Sequence, residues 1–276
     1  MNDSGHDDGG CVRRRPRTRW YVRHVMPSDR HSFIGRIFDL SIVAYNFDSY
    51  AELSRFPDCK YAIDVNHALT GLTRRVESLN MVGDMLWPQH IPSDFGSFPV
   101  SRYEWLAIAT DVFLIRYVSV VDCVLLLVNE VFELGHKRQD CTLRAIKKTV
   151  PTDIYKLLDA LVAAQGQLRS ERNQRVHHGS ERDFTDDDTT FRLASRFERW
   201  ANGMKGRDRL DRPVNVRRSF NEGLVSLQRD FNQVTRGSKR QLDEIYDTLR
   251  GEFEARFGPR IRAATHGLNA GARGKH

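Results

Sequence analysis

The segment over residues 101–134 places the strongest constraint on the fold, because it has the pattern of one long buried helix. Ser101, with Glu104 three positions later, forms a capping-box pattern, and Gly135 is a natural helix stop. Over residues 118–128 the segment is apolar nearly all round, which indicates burial on every side. The pattern therefore predicts a helix at the centre of the core.

The other segments also show helical periodicity, and no strand alternation of useful length occurs. We predict further helices over residues 32–53, 61–85, 142–148, 153–178, 185–202 and 214–257. The last of these contains Gly237 and Ser238, where one helix could divide into two. The sequence therefore predicts an all-α protein.

These elements predict five regions along the chain. Both ends are expected to be disordered tails, a basic one over residues 1–30 and a second over 263–276. Between them lie an N-terminal helical region, a helical core and a C-terminal helical region, over residues 31–95, 100–205 and 206–262. The loop between Pro88 and Pro99 is the best candidate for an internal boundary, because proline and glycine interrupt helices there.

Composition is that of a soluble globular protein, with 40% hydrophobic and 29% charged residues in a chain of 276. The net charge of +7 and the many arginines fit a phosphate-bearing partner such as RNA, although genomic base composition also raises arginine usage. The most apolar window contains Arg116 and Asp122, which favours a buried helix over a membrane span. No signal-peptide pattern begins the chain, so we expect a cytoplasmic protein without membrane association.

The four cysteines are far apart in the sequence and form no metal-binding pair. This spacing predicts a reducing compartment, no structural disulfide and no zinc site. Asp64 and His67 are three residues apart, but no third ligand is evident. A cluster of acidic residues lies at the start of the helix predicted over 185–202, and we favour helix capping over a divalent ion for Asp183, Asp186, Asp187 and Asp188. We predict no metal and no cofactor.

The helix predicted over 153–178 carries the most informative polar residues. Its apolar stripe passes through Leu168, and a step of four residues predicts that Arg172 projects from the packing face. Asn173 and His177 are also four residues apart and share one face. A guanidinium can hold a phosphate through two hydrogen bonds, and an imidazole can transfer a proton near neutral pH. This combination suits phosphodiester chemistry without a metal ion.

Other residues are candidates for supporting roles. Asp122 could form a buried ion pair with Arg172 or Arg116, or it could orient a group of the site. Three further candidates lie on the helix over 153–178: His178 as a supporting residue, and Arg169 and Arg175 as RNA-binding residues.

The motif Arg172-Asn173-x3-His177 at the end of a long helix resembles the signature of the HEPN superfamily. In that signature an arginine is followed by a polar residue and, a few positions later, by a histidine. The upstream segment over 117–135 is similar to the first core helix of stand-alone bacterial HEPN proteins of the Cthe-type group. The resemblance covers about residues 100–205.

This resemblance implies a helical bundle that forms a homodimer and brings two motifs together in one cleft. It also implies metal-independent RNA cleavage, in which Arg172 holds the phosphate, His177 acts as acid or base and Asn173 is the polar second residue. A toxin or defence role with an antitoxin-type protein partner is compatible with such an activity. Two alternatives stay open: a non-catalytic HEPN module that binds nucleotide, RNA or protein, and a purely structural helical protein.

Overall fold

The computed structural model describes residues 21–27, 29–92, 94–200 and 203–264. The arginine run of the N-terminal tail and the C-terminal tail from residue 265 lie outside the described residues. Within these ranges the chain is helical, and the one β-type pairing is an isolated bridge between Arg207 and Pro213. The predicted all-α class is confirmed.

Eight α-helices and one short 3-10 helix, at Ile42–Asn46, make up the described part of the chain. In order they are α1 Ser32–Ser41, α2 Tyr50–Leu53, α3 Pro57–Leu86, α4 Arg102–Val131, α5 Leu143–Ile146, α6 Thr152–His178, α7 Asp188–Trp200 and α8 Val216–Ala263. None of the helices over the described residues combines the length and the apolar character that crossing a membrane requires.

Helix α4 is the central element and begins as predicted. The Ser101 hydroxyl accepts from the Glu104 amide at 3.2 Å, and the Glu104 carboxylate accepts from the Ser101 amide at 2.7 Å. The helix ends at Val131, slightly before the predicted limit, because Glu133 (φ 54°) and Gly135 (φ 71°) adopt left-handed conformations. Helices α3, α6, α7 and α8 all pack against α4, which explains its apolar character on most sides.

One hydrophobic core joins the three predicted helical regions. Its buried side chains extend from Met26 to Phe257 and come from the long helices and from the loop after α3. Phe95 in that loop is only 2% exposed and contacts the ring of Phe220 on α8, with 5.7 Å between ring centroids. The loop that is the best candidate for a boundary is therefore part of the shared core.

The segment over residues 21–27 also packs against the helices, so the predicted N-terminal tail extends too far along the chain. Asn80 of α3 exchanges two hydrogen bonds with the backbone of Met26, at 3.0 and 2.7 Å. Asn232 of α8 accepts from the His24 amide at 2.8 Å and donates to the Val22 carbonyl at 2.9 Å. The two amide side chains satisfy backbone groups that no helix pairs and hold this segment on the bundle.

Two helix boundaries differ from the prediction. The region over 32–53 forms α1, the 3-10 helix and α2 in place of one helix. Helix α8 continues unbroken through Gly237 and Ser238, where Ser238 is 3% exposed. The helix packs against its neighbours before and after this glycine. That packing outweighs the low helix propensity of glycine, which costs only about 1 kcal/mol.

Candidate functional site

A backbone break divides α6 and determines the direction of its last turns. Gly166 has φ 35° and ψ −118°, a backbone conformation that residues other than glycine rarely adopt. The preceding residue, Gln165, is 1% exposed. Its side-chain amide donates to the carbonyls of Tyr117 and Val118 on α4, each at 3.1 Å. This contact attaches α6 to α4 at the break.

A second attachment lies near the end of α6. The Arg175 side chain is 6% exposed, and its Nε donates to the Asp111 carboxylate of α4 at 2.6 Å. Its Nη2 also donates to the Ala107 carbonyl at 3.4 Å. Arg175 is therefore occupied within the fold, which does not support the RNA-binding role predicted for it.

The break also explains why the predicted face of α6 is displaced. Steps of four residues from Leu168 predicted Arg172 and Val176 on the packing face. In the structure Val176 is 55% exposed, and the Arg175 side chain is buried instead. The expectation assumed one uninterrupted helix, and the backbone at Gly166 departs from helical geometry. Arg172 consequently lies at the edge of the packed face and is half-buried.

The three motif residues are accessible at the end of α6. Among the described residues, the Arg172 side chain makes no hydrogen bond or ion pair. The side chains of Asn173 and His177 are exposed and likewise without such partners. His178 is exposed beside them, and Gly179 ends the helix with φ 63°. The guanidinium and the imidazole are therefore available for a ligand.

The other predicted members of the site lie in different surroundings. Arg169 donates to the Gln165 side chain at 3.2 Å, within one helical step of the break. Asp122 is exposed and has no ion pair within the described residues, so the expected buried pair with Arg172 or Arg116 is wrong. Asp122 lies seven residues after Ile115 and therefore shares its exposed face of α4.

A charged network adjoins the motif on the side of α8. Arg182 lies 3.2 Å from the Glu171 carboxylate and donates to Asp230 of α8 at 2.8 Å. Burial raises the pKa of Glu171, while the nearby cations Arg182 and Arg175 oppose this shift. Next to the break, a cleft of about 270 Å³ separates α6 from α8.

Sequence reasoning did not identify Asp111, Gln165 or Arg182 as neighbours of the motif. The glycine within α6 was the available signal of a break, because glycine in a helix interior carries a cost in stability. No sequence pattern indicates that Asp111 meets Arg175, since 64 positions separate them.

Of the acidic residues predicted to cap α7, Asp187 accepts from an amide in the first turn of that helix. Asp187 accepts from the amides of Thr190 and Arg209, at 3.2 and 2.8 Å, and Asp188 accepts from the Phe184 amide at 2.8 Å. In the part of the chain that the structure describes, no group of three or more histidine, cysteine or carboxylate side chains has the arrangement of a metal site.

Comparison with known proteins supports the resemblance of the motif helix. A family model described as Cthe2314-like HEPN matches residues 31–247, more than half of the chain. The match extends on both sides of residues 100–205 and includes α1, α3 and most of α8 as well as the motif. No curated protein and no solved structure shows a significant match. The predicted superfamily is confirmed, and the chain belongs to the Cthe2314-like HEPN family.

Proposed function

We propose that this HEPN protein binds RNA and cleaves it without a metal ion, as a homodimer. The observation that carries the proposal is the state of the motif: Arg172 and His177 have no partner among the described residues, although the helix that bears them is attached to α4 on either side of Arg172. A guanidinium without a partner, held on a fixed element, suits the recognition of a phosphate.

The chemistry needs only groups that the motif supplies. A base removes the proton of the ribose 2′-hydroxyl, whose oxygen then attacks the adjacent phosphorus. The new phosphorus–oxygen bond forms as the bond to the 5′ oxygen breaks, and an acid protonates that leaving oxygen. Arg172 is assigned to the developing negative charge on the phosphate and His177 to proton transfer. The products carry a 2′,3′-cyclic phosphate and a 5′-hydroxyl.

Helix geometry favours a site shared between two chains. Arg172 and His177 are five positions apart, which places them about 140° apart around a helix of 3.6 residues per turn. One chain therefore directs the two groups to different sides. A two-fold contact repeats each patch on both subunits and would bring a second arginine and a second histidine to the same cleft.

Apolar side chains near the motif also support a dimer. Ile108 and Ile115 flank Asp111 on one face of α4 and are 44% and 45% exposed, and Val176 on α6 is 55% exposed. Val176 follows Arg175 in the chain, and the two isoleucines lie about one helical turn from Asp111. Burying such apolar surface contributes about 25 cal/mol of favourable free energy per Å², which would favour association of two copies. A toxin or defence role with an antitoxin-type partner stays a prediction.

Incubation of the purified protein with mixed RNA, with and without a chelator, tests the proposal. We expect cleavage in both samples and 2′,3′-cyclic phosphate ends or their hydrolysis product. A strict magnesium requirement for the bond-breaking step would contradict the mechanism. Retarded migration of RNA without any cleavage would instead favour the non-catalytic HEPN module as the function.

A further inference from the structure

Two contacts between α6 and α4 lie on either side of Arg172. The buried Gln165 side chain donates to two α4 carbonyls just before the break at Gly166, and Arg175 donates to Asp111 ten residues later. Arg172, Asn173 and His177 lie between or just beyond these contacts and have no partner of their own among the described residues. The motif segment after the break is thus attached by residues that belong to neither step of the proposed chemistry.

We propose that Arg175 is a positioning residue, which acts through Asp111 to set the direction of the motif segment after the Gly166 break. The inference rests on the proposed function, because positioning matters for a reaction that requires Arg172 and His177 at defined places. The Arg175 side chain is 6% exposed, so it lies beneath the surface that RNA would contact. Nη1 of Arg175 is buried without a hydrogen bond, and Asp111 is the carboxylate that its Nε contacts directly.

The contact between Arg175 and Asp111 is suited to fix the direction of the motif segment of α6. Charge-assisted hydrogen bonds are shorter and stronger than neutral ones, and the 2.6 Å distance between Arg175 Nε and Asp111 Oδ1 is of this kind. Asp111 belongs to α4, the most extensively packed helix. The contact therefore fixes the position of the motif segment relative to a rigid element. Displacement of a reacting group by about 1 Å can reduce a rate by about 100-fold.

The alternative role for Arg175, a direct contact with RNA phosphate, makes opposite predictions for Asp111. If Arg175 contacted RNA, Asp111→Ala would remove a negative charge near the RNA and strengthen binding. Arg175→Ala would weaken binding and reduce the salt dependence by about one phosphate contact. If Arg175 acts through Asp111, both substitutions cause the same defect, and the double variant is no worse than either single one.

The experiment measures cleavage of one single-stranded RNA oligonucleotide by the full chain and by Asp111→Ala, Arg175→Ala, Arg175→Lys and the double variant. We expect kcat to fall at least about tenfold in each, with KM changed less than about threefold. Arg36→Ala is the control, because Arg36 forms an interhelical pair with Glu254 at 3.0 Å, between α1 and α8. It should leave kcat unchanged. Additive losses, or tighter RNA binding by Asp111→Ala, would overturn the inference.

A second measurement does not depend on activity. The imidazole resonance of His177 in the nuclear magnetic resonance spectrum, assigned by its loss in His177→Ala, should shift in Asp111→Ala and in Arg175→Lys but not in Arg36→Ala. If the unaltered protein cleaves no RNA, the proposed function fails, and this resonance alone decides the inference. An unmoved resonance in both variants would overturn it, including when Arg175→Ala does not fold.

Substitution at the break gives an independent test of the same inference. Gly166→Ala places a side chain at φ 35°, which should straighten α6 and redirect the motif segment. Gly251→Ala in α8 is the matched control, because its added Cβ would meet no atom within 4 Å and its backbone is helical. We expect Gly166→Ala to lower kcat and to shift the His177 resonance, and Gly251→Ala to do neither. Equal behaviour of the two variants would count against the role of the break.

Discussion

At the residue scale, the arginines near the end of α6 differ in whether they have partners. Arg175 contacts Asp111 and Arg169 contacts Gln165, whereas Arg172 has no partner among the described residues. Of these three arginines, Arg172 is the one whose guanidinium is available to bind a phosphate. This difference follows from the break at Gly166, which turns Arg175 inward.

Arg172→Ala and His177→Ala should each reduce RNA cleavage by about 100-fold or more, because each removes one group that stabilises charge or transfers a proton. Unfolding free energies should change by less than about 1 kcal/mol, since neither side chain has a partner within the described fold. Cleavage rates and urea unfolding measure the two effects.

His178→Ala is the matched control, because this neighbouring histidine is also exposed at the end of α6. Its cleavage rate should stay close to that of the parent. An equal loss in His178→Ala would transfer the role to that residue, and parental cleavage by a folded Arg172→Ala or His177→Ala variant would refute the assignment.

Glu171 should make the stability of the fold depend on pH. Burial raises its pKa above the ordinary value of 4.5, so the unfolded chain releases this proton first as the pH rises. The stability that the protonated carboxyl contributes is full below about pH 4.5 and is lost as pH rises through the folded-state pKa. Glu171→Gln removes this loss, so its stability relative to the parent should increase from pH 4 to pH 7.

Urea unfolding of both proteins at a series of pH values measures this effect. Two cations, Arg182 and Arg175, face Glu171. Two further carboxylates, Asp230 and Asp111, also lie nearby. If the variant instead loses stability relative to the parent as pH rises, the ion pair with Arg182 outweighs the cost of burying the carboxylate.

At the scale of elements, local sequence patterns predicted helices well where capping and periodicity agreed. The capping box of α4 is an example, because backbone groups within a few residues determine it. The break at Gly166 and the continuity of α8 through Gly237 were not predicted. Both depend on contacts with distant helices, which one segment does not contain.

Two glycines of α8 should respond in opposite directions to the same substitution. Gly237→Ala should stabilise the protein by about 0.5–1 kcal/mol, because the added Cβ meets no atom within 4 Å and favours the helix. Gly223→Ala should destabilise it by about 1–3 kcal/mol, since that Cβ would lie 2.6 Å from Leu106 and 2.9 Å from Phe184. Thermal or urea unfolding compares them. Destabilisation by Gly237→Ala would contradict a continuous α8.

At the scale of the whole molecule, one core joins parts of the chain that the sequence suggested as separate regions. The family match over residues 31–247 agrees with this single core. The motif residues themselves could be predicted from their order in the sequence. Their attachment to α4 could not, because it depends on pairs such as Arg175 and Asp111 that only the folded chain brings together.

The central proposal is a cleavage site shared by two chains, and mixing subunits tests it most directly. Wild-type protein is exchanged with His177→Ala protein at constant total concentration, because the proposed base and acid take one His177 from each chain, and RNA cleavage is measured across the series. If two intact subunits are required, activity falls with the square of the wild-type fraction, to about a quarter in an equal mixture. A fall to about half, or a fully active monomer in sedimentation at micromolar concentration, would contradict the shared site.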